Sequence, residues 1–268
     1  MPKQESSSVK EVIGKTSTLD SELESSNVFQ LEKFFEKTKK DAELLVNDVF
    51  PQRIMALENL HQSMNLTKLS EVHNDLNIPV PDAVLLLPDT EEPTSKKRKV
   101  EVSSGNGENI SGTRVLALPN GLAPCNKHIV DLSEKMKPLI RDLIEHANLI
   151  KMWISFLIPK IEDGNNFGVS IQEETLSEAR TVESEAATYL EQISRYFITR
   201  GKIVSKVAKY PHIEDYRRSV NELDEKEYVC LRLTCCELRN HYASLYDIIH
   251  KNMDKIKKPR NANADNLY

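Results

Sequence analysis

The sequence predicts an all-α protein: an elongated antiparallel four-helix bundle with a long, partly disordered connector between helices one and two. Apolar residues recur at steps of three and four through four long stretches, the spacing that lines one face of a helix. Only 8 glycines and 12 prolines occur in 268 residues, too few turn residues for a fold of many short strands. A proline-rich segment divides the first stretch from the other three.

Residues 1–26 are rich in Ser, Glu and Lys and read as a flexible arm. From Asn27, the positions Leu31, Phe34, Phe35, Thr38, Ala42, Leu45 and Val49 share a face, and Ile54, Met55, Leu57 and Leu60 continue it, giving helix one over 27–63. Pro51 is expected to kink or interrupt this helix, since it lacks a donor and its ring crowds the preceding turn. The connector, 64–125, carries Pro79, Pro81, Pro88 and Pro93 and then a Ser/Gly/Asn tract. Prolines at that density exclude a continuous helix and leave the middle of the segment disordered.

Helices two to four occupy 126–258. Ile129, Leu132, Met136, Leu139, Leu143, Ala147, Ile150, Ile154 and Leu157 mark helix two, which Pro138 bends without ending and Ile158-Pro159 stops. Leu176, Ala179, Ala186, Leu190, Ile193, Phe197, Val204 and Val207 mark helix three, over about 170–208, with Glu183 and Arg200 as polar residues on its seam. Tyr216, Val220, Leu223, Leu231, Thr234, Leu238, Leu245, Ile249 and Ile256 mark helix four, over about 213–257, and Pro259 ends it. At about 1.5 Å per residue such helices are about 45 to 65 Å long. Val182, Tyr189, Tyr196, Ile203, Tyr228, Tyr242 and Ile248 lie beside the apolar seams, either widening the core or forming a subunit interface.

A net charge of −5 and a pI near 5.9 exclude a surface built to coat nucleic acid. The opening MPKQESSSVKEVIGK has no apolar core, and no run of about eighteen apolar residues exists, so neither secretion nor a membrane partner is expected. Cys125, Cys230, Cys235 and Cys236 form no C-x-x-C pair and read as reduced thiols of a cytosolic or nuclear protein, with no metal site. There is no G-x-x-x-x-G-K-[ST], no G-x-S-x-G and no H-E-x-x-H, and Glu173-Glu174, Glu183 and Glu185 read as helix-surface carboxylates. Neither catalysis nor a cofactor is indicated.

The connection 159–169 between helices two and three holds two of the 8 glycines and an Asn-Asn pair, residues that take turn angles cheaply. On composition it is a well-made interhelical loop. The run KMWISFLIPKIEDGNNFGVSIQEET, with YFITRGKIVSKVAKYPHIEDYRR and ELDEKEYVCLRL after it, resembles the REG (11S) proteasome activator family, nearest its gamma-type branch. The likeness extends through DLNIPVPD, LPNG and NADNLY, covering nearly all of 28–268 apart from the connector around 88–113.

That resemblance implies a non-catalytic, ATP-independent activator: a homoheptameric ring that caps the α-ring of the proteasome core particle. It assigns Ile161, Glu162, Asp163, Gly164, Asn165, Asn166, Phe167 and Gly168 to an activation loop that opens the gate. It also assigns docking to the tail 259–268, through Asn266, Leu267 and Tyr268, whose apolar, aromatic and carboxylate groups suit capture of a chain terminus in a pocket. Seven tails in one ring raise one another's effective concentration, so assembly is a requirement of function.

Lys96, Lys97, Arg98 and Lys99 form a compact basic cluster in an otherwise acidic chain, read as a nuclear localisation signal for an import receptor. Lys202, Lys206 and Lys209 share one side of helix three, as a solvated face or as lining of a ring's central channel. The rival to the activator is a nuclear helical scaffold that grips partner helices and has no protease partner.

Overall fold

The computed structural model describes residues 27–82, 118, 120–161 and 166–260, and among these all regular structure is helical. Four long helices account for most of it. We label them α1 (27–63), α2 (Lys127–Leu157), α3 (Phe167–Lys209) and α4 (Glu214–Lys257). Helix α4 packs against each of the other three, and α2 packs against α3. The bundle is antiparallel: Phe35 near the start of α1 meets Phe156 at the end of α2, with ring centroids 4.5 Å apart.

Pro51 does not stop α1. The disturbance is a single π turn, Leu45–Val49, in which the Phe50 N–H reaches back five residues to the Leu45 carbonyl. The wider turn accommodates the proline that follows it. It also turns two consecutive side chains, Leu45 and Val46, into the core. Helix α2 likewise runs through Pro138, and its N-terminus is capped by Asn126, whose side chain accepts from the Ile129 N–H at 3.3 Å.

The core is continuous along the bundle, with Trp153, Tyr242, Phe50, Leu57 and Met136 among its largest fully buried side chains. Each such side chain contributes about 1.5–3 kcal/mol by leaving water. Val182, Tyr196, Tyr228 and Tyr242 are buried within this one chain, and Tyr189, Ile203 and Ile248 pack partly buried against the same clusters. For Val182, Tyr196, Tyr228 and Tyr242, core widening is therefore the reading realised. The apolar side chains that stay exposed lie elsewhere: Leu44 and Met55 on α1, Ile198 on α3, and Val229 and Leu233 on α4. The first turns of α1 also depart from expectation, since Leu31, Phe34 and Phe35 are exposed and core burial begins at Thr38 and Ala42.

At the end of the bundle where α2 and α4 begin, the connector is tied down on both sides of its central segment. Asp224 is fully buried and accepts from Arg200 (Nε, 2.9 Å), Tyr196 (Oη, 2.8 Å) and Asn126 (Nδ2, 2.7 Å). The Asn126 amide also donates to the Val72 carbonyl, and Arg200 Nη1 to the Pro124 carbonyl. Asn77, in the left-handed region at φ 55° where asparagine is tolerated, donates its side-chain amide to the carbonyls of Asn120 and Leu122. Residues 72–78 and 120–126 thus run side by side, and Leu76 and Ile78 enter a second small core with Val207 and Val220. Both ends of the connector are thus anchored to the bundle, while its middle lies outside the described residues.

Between α3 and α4, the Glu227 carboxyl is pushed up to about 7, chiefly by burial, beside Tyr189, Tyr196 and Leu223. A carboxyl raised on folding contributes stability that is fully present below its ordinary value near 4.5 and is lost as pH rises through about 7. Glu227→Gln should therefore match the parent's melting temperature near pH 4 and exceed it by several degrees near pH 8. Equal pH profiles for the two proteins would contradict this.

Candidate functional site

The opposite end of the bundle gathers the end of α2, the start of α3 and the end of α4. Helix α2 closes at Leu157 because Ile158 precedes Pro159 and takes extended angles, φ −66° and ψ 122°. The chain then leaves the bundle, and Ile161 is fully exposed. It re-enters at Asn166, whose backbone carbonyl accepts from the Ser170 N–H at 2.9 Å and so opens α3. Phe167, 66% exposed, and Gly168, buried, belong to the first turn of α3, not to the loop. This corrects the loop boundary at its C-terminal side: α3 starts three residues earlier than the apolar rhythm indicates, because that rhythm registers only residues whose side chains enter the core.

Gly168 explains why a glycine stands in a helix at all. A Cβ built on it would lie 2.1 Å from the carbonyl oxygen of Pro259 and 2.6 Å from its Cα. The backbone after α4 therefore rests directly on the first turn of α3. Two side chains secure this contact. Arg260 Nη2 donates to Asn166 Oδ1 at 3.0 Å, and Gln172, fully buried, donates its amide to the Leu157 carbonyl at 3.0 Å and the Ile256 carbonyl at 2.7 Å. Those two carbonyls belong to the last turns of α2 and α4, where the helix itself offers no partner. One amide thus joins the stems on both sides of the loop to the root of the C-terminal segment.

Of the loop residues named from the sequence, Ile161, Asn166, Phe167 and Gly168 are placed at this junction, while Glu162, Asp163, Gly164 and Asn165 lie outside the described residues. So do Asn266, Leu267 and Tyr268, and the basic cluster Lys96, Lys97, Arg98 and Lys99. Lys202, Lys206 and Lys209 are exposed on the last turns of α3, toward the other end of the bundle. Lys206 lies 5.5 Å from the centroid of the Tyr216 ring and Lys209 5.1 Å from that of Tyr210. Gln172 was missed in the sequence. It stands four residues before Leu176, so a polar side chain on the extended core stripe of α3 was the signal available.

Family models for the proteasome activator PA28 match two segments, the N-terminal one over residues 25–83 and the C-terminal one over 122–266. The chain belongs to the PA28 proteasome activator family. Proteasome activator complex subunit 3 of Gallus gallus is 53% identical over an alignment of 244 positions that covers 89% of this chain and 95% of that protein. Its Homo sapiens counterpart is 52% identical over the same extent. Among solved structures, the 11S subunit of the Plasmodium falciparum proteasome, PA28, superposes with a TM-score of 0.65 at 32% identity, covering 88% of this chain and 95% of that one. A chain in the structure of an archaeal 20S proteasome with a mutated P26 activator matches with a TM-score of 0.55 at 12% identity, a likeness of fold. PA28 proteins are activators, regulators of a protease rather than catalytic enzymes.

Proposed function

We propose that this PA28-family chain assembles into a homoheptameric ring that docks on the α-ring of the proteasome core particle and opens its gate without ATP. The observation that carries the reading is the convergence at one end of the bundle. The end of α2 at Leu157, the start of α3 at Asn166 and the root of the C-terminal segment at Pro259–Arg260 are held together there by the amide of Gln172, the Arg260–Asn166 hydrogen bond and the close approach at Gly168. A tail that supplies affinity and a loop that acts on a gate have to meet the same surface, so they have to leave the same end of the protein.

The two parts divide the work by thermodynamics. Tails ending in Asn266, Leu267 and Tyr268 bind whether the gate is open or closed, and multivalency in the ring makes weak individual contacts sufficient. Only a group with different affinity for the two gate states can shift their populations, and the loop is that group. Nuclear residence follows from recognition of Lys96–Lys99 by an import receptor, and the proteolysis promoted is then independent of ubiquitin. Lys202, Lys206 and Lys209, exposed toward the end remote from the loop, would on this reading line the ring's central channel and meet the peptides that pass.

The test is hydrolysis of fluorogenic peptides by purified proteasome core with the full chain and with a chain lacking Leu267 and Tyr268. Stimulation of tenfold or so by the full chain that disappears with the truncation is expected. Absence of stimulation by a verified oligomer at saturation would instead favour the helical scaffold, whose partners would meet Met55, Ile198 or Leu233.

A further inference from the structure

A side-chain amide has two donor hydrogens, and those of Gln172 are spent on two helix ends that are far apart in sequence, Leu157 and Ile256. Its Oε1 has no hydrogen-bond partner among the described residues, so burial of this residue is tolerated for what the amide nitrogen does. Leu157 precedes the loop by a few residues, and Ile256 precedes the root of the tail. The start of α3, on which Gln172 sits one turn above Gly168, follows the loop. Among the described residues, Gln172 is therefore the one buried polar side chain that joins all three stems at this end.

We infer that Gln172 is a positioning residue that fixes the offset between the loop and the root of the C-terminal tail, so that energy gained when the tail docks is delivered to the gate through the loop. The inference rests on the proposed activator function and assigns a role within it. Tail and loop respond differently to a loosened joint. Eight residues separate Arg260 from the C-terminus, a reach of roughly 26 Å, enough to absorb a shift of an ångström or two at the root. The loop differs from the tail in being anchored at both ends, by α2 and by α3, so a shift between those anchors is passed to it directly. Loosening the joint thus leaves docking nearly intact and misplaces the loop against the gate. Arg260 reinforces the joint from the outside through Asn166.

Gln172→Met preserves length and apolar packing and removes both donors. With proteasome core and a fluorogenic peptide, its half-maximal concentration should stay within about twofold of the parent's, while maximal stimulation falls about fivefold or more. Arg260→Ala should lower maximal stimulation in the same direction, by about twofold. In the free protein, amide exchange in the first turn of α3 and the last turn of α4 should accelerate together in Gln172→Met, a readout that needs no proteasome. Parental maximal stimulation in Gln172→Met overturns the inference, and so does a loss confined to half-maximal concentration. Should Gln172→Met not fold, Arg260→Ala decides, and its failure to lower maximal stimulation overturns the inference. Failure of the parent chain itself to stimulate would refute the activator reading instead, and the exchange experiment would still report on the joint.

Discussion

Gly168→Ala should yield a folded protein that stimulates the proteasome core at least about tenfold less than the parent. The added methyl would stand 2.1 Å from the Pro259 carbonyl oxygen and 2.7 Å from its carbonyl carbon, and these are backbone atoms that cannot rotate away. Either the first turn of α3 or the chain after α4 has to move by about an ångström, and overpacking of this kind costs roughly 1–3 kcal/mol. The helical backbone at Gly168 is not in the left-handed region, so alanine is conformationally acceptable and the penalty is entirely the contact. Every 1.4 kcal/mol or so withdrawn from the preference for the open gate is a factor of about ten in the ratio of open to closed gates. Thermal unfolding should shift by only a few degrees, since the rest of the core is untouched. Parental stimulation by Gly168→Ala would mean that the approach of Pro259 to α3 has no part in activation.

At the other end of the molecule, Asp224→Ala should lower stability by about 3–5 kcal/mol, the cost of breaking a buried ion pair by removing one partner. Arg200 is 6% exposed and Asp224 fully buried, so the guanidinium would be left charged in the interior without its carboxylate. The Tyr196 hydroxyl would lose its acceptor and the Asn126 amide one of its two. Burial, and then the hydrogen bond to Asp224, hold the Tyr196 phenol far above its ordinary pKa, so it cannot substitute as a charge. A melting-temperature drop of about 10 °C is expected for a chain of this size. Cleavage by a protease should appear first between Val72 and Asn126, because the cluster holds both ends of the connector. A drop below about 2 °C would show that the cluster contributes orientation but little stability.

The four helices were legible because each buries a stripe wide enough to impose a period on its residues. Leu143, Ala147, Ile150 and Ile154 on α2, and Leu238, Leu245 and Ile249 on α4, could be read off by spacing alone and are all buried. The resemblance carried by IEDGNNFGVS likewise pointed to the loop end before any geometry was known. Where side chains face water, the spacing fell silent. Leu31 and Phe34 continue the stripe of α1 in sequence and yet are exposed, and Phe167 and Gly168 lie in α3 ahead of its first apolar marker.

What the sequence by itself determined, then, is the all-helical class, the order of the helices and the family, because local periodicity and motif order are properties of neighbours along the chain. Only the tertiary structure decided which aromatic residues were core, that Asp224 joins Arg200, Tyr196 and Asn126, and that Gln172 binds the ends of α2 and α4. These contacts span from 15 to 98 positions of chain. Nothing local to Gly168 says that Pro259 will lie on it; that follows from the packing of α3 against α4, which brings the two backbones within a Cβ radius of each other.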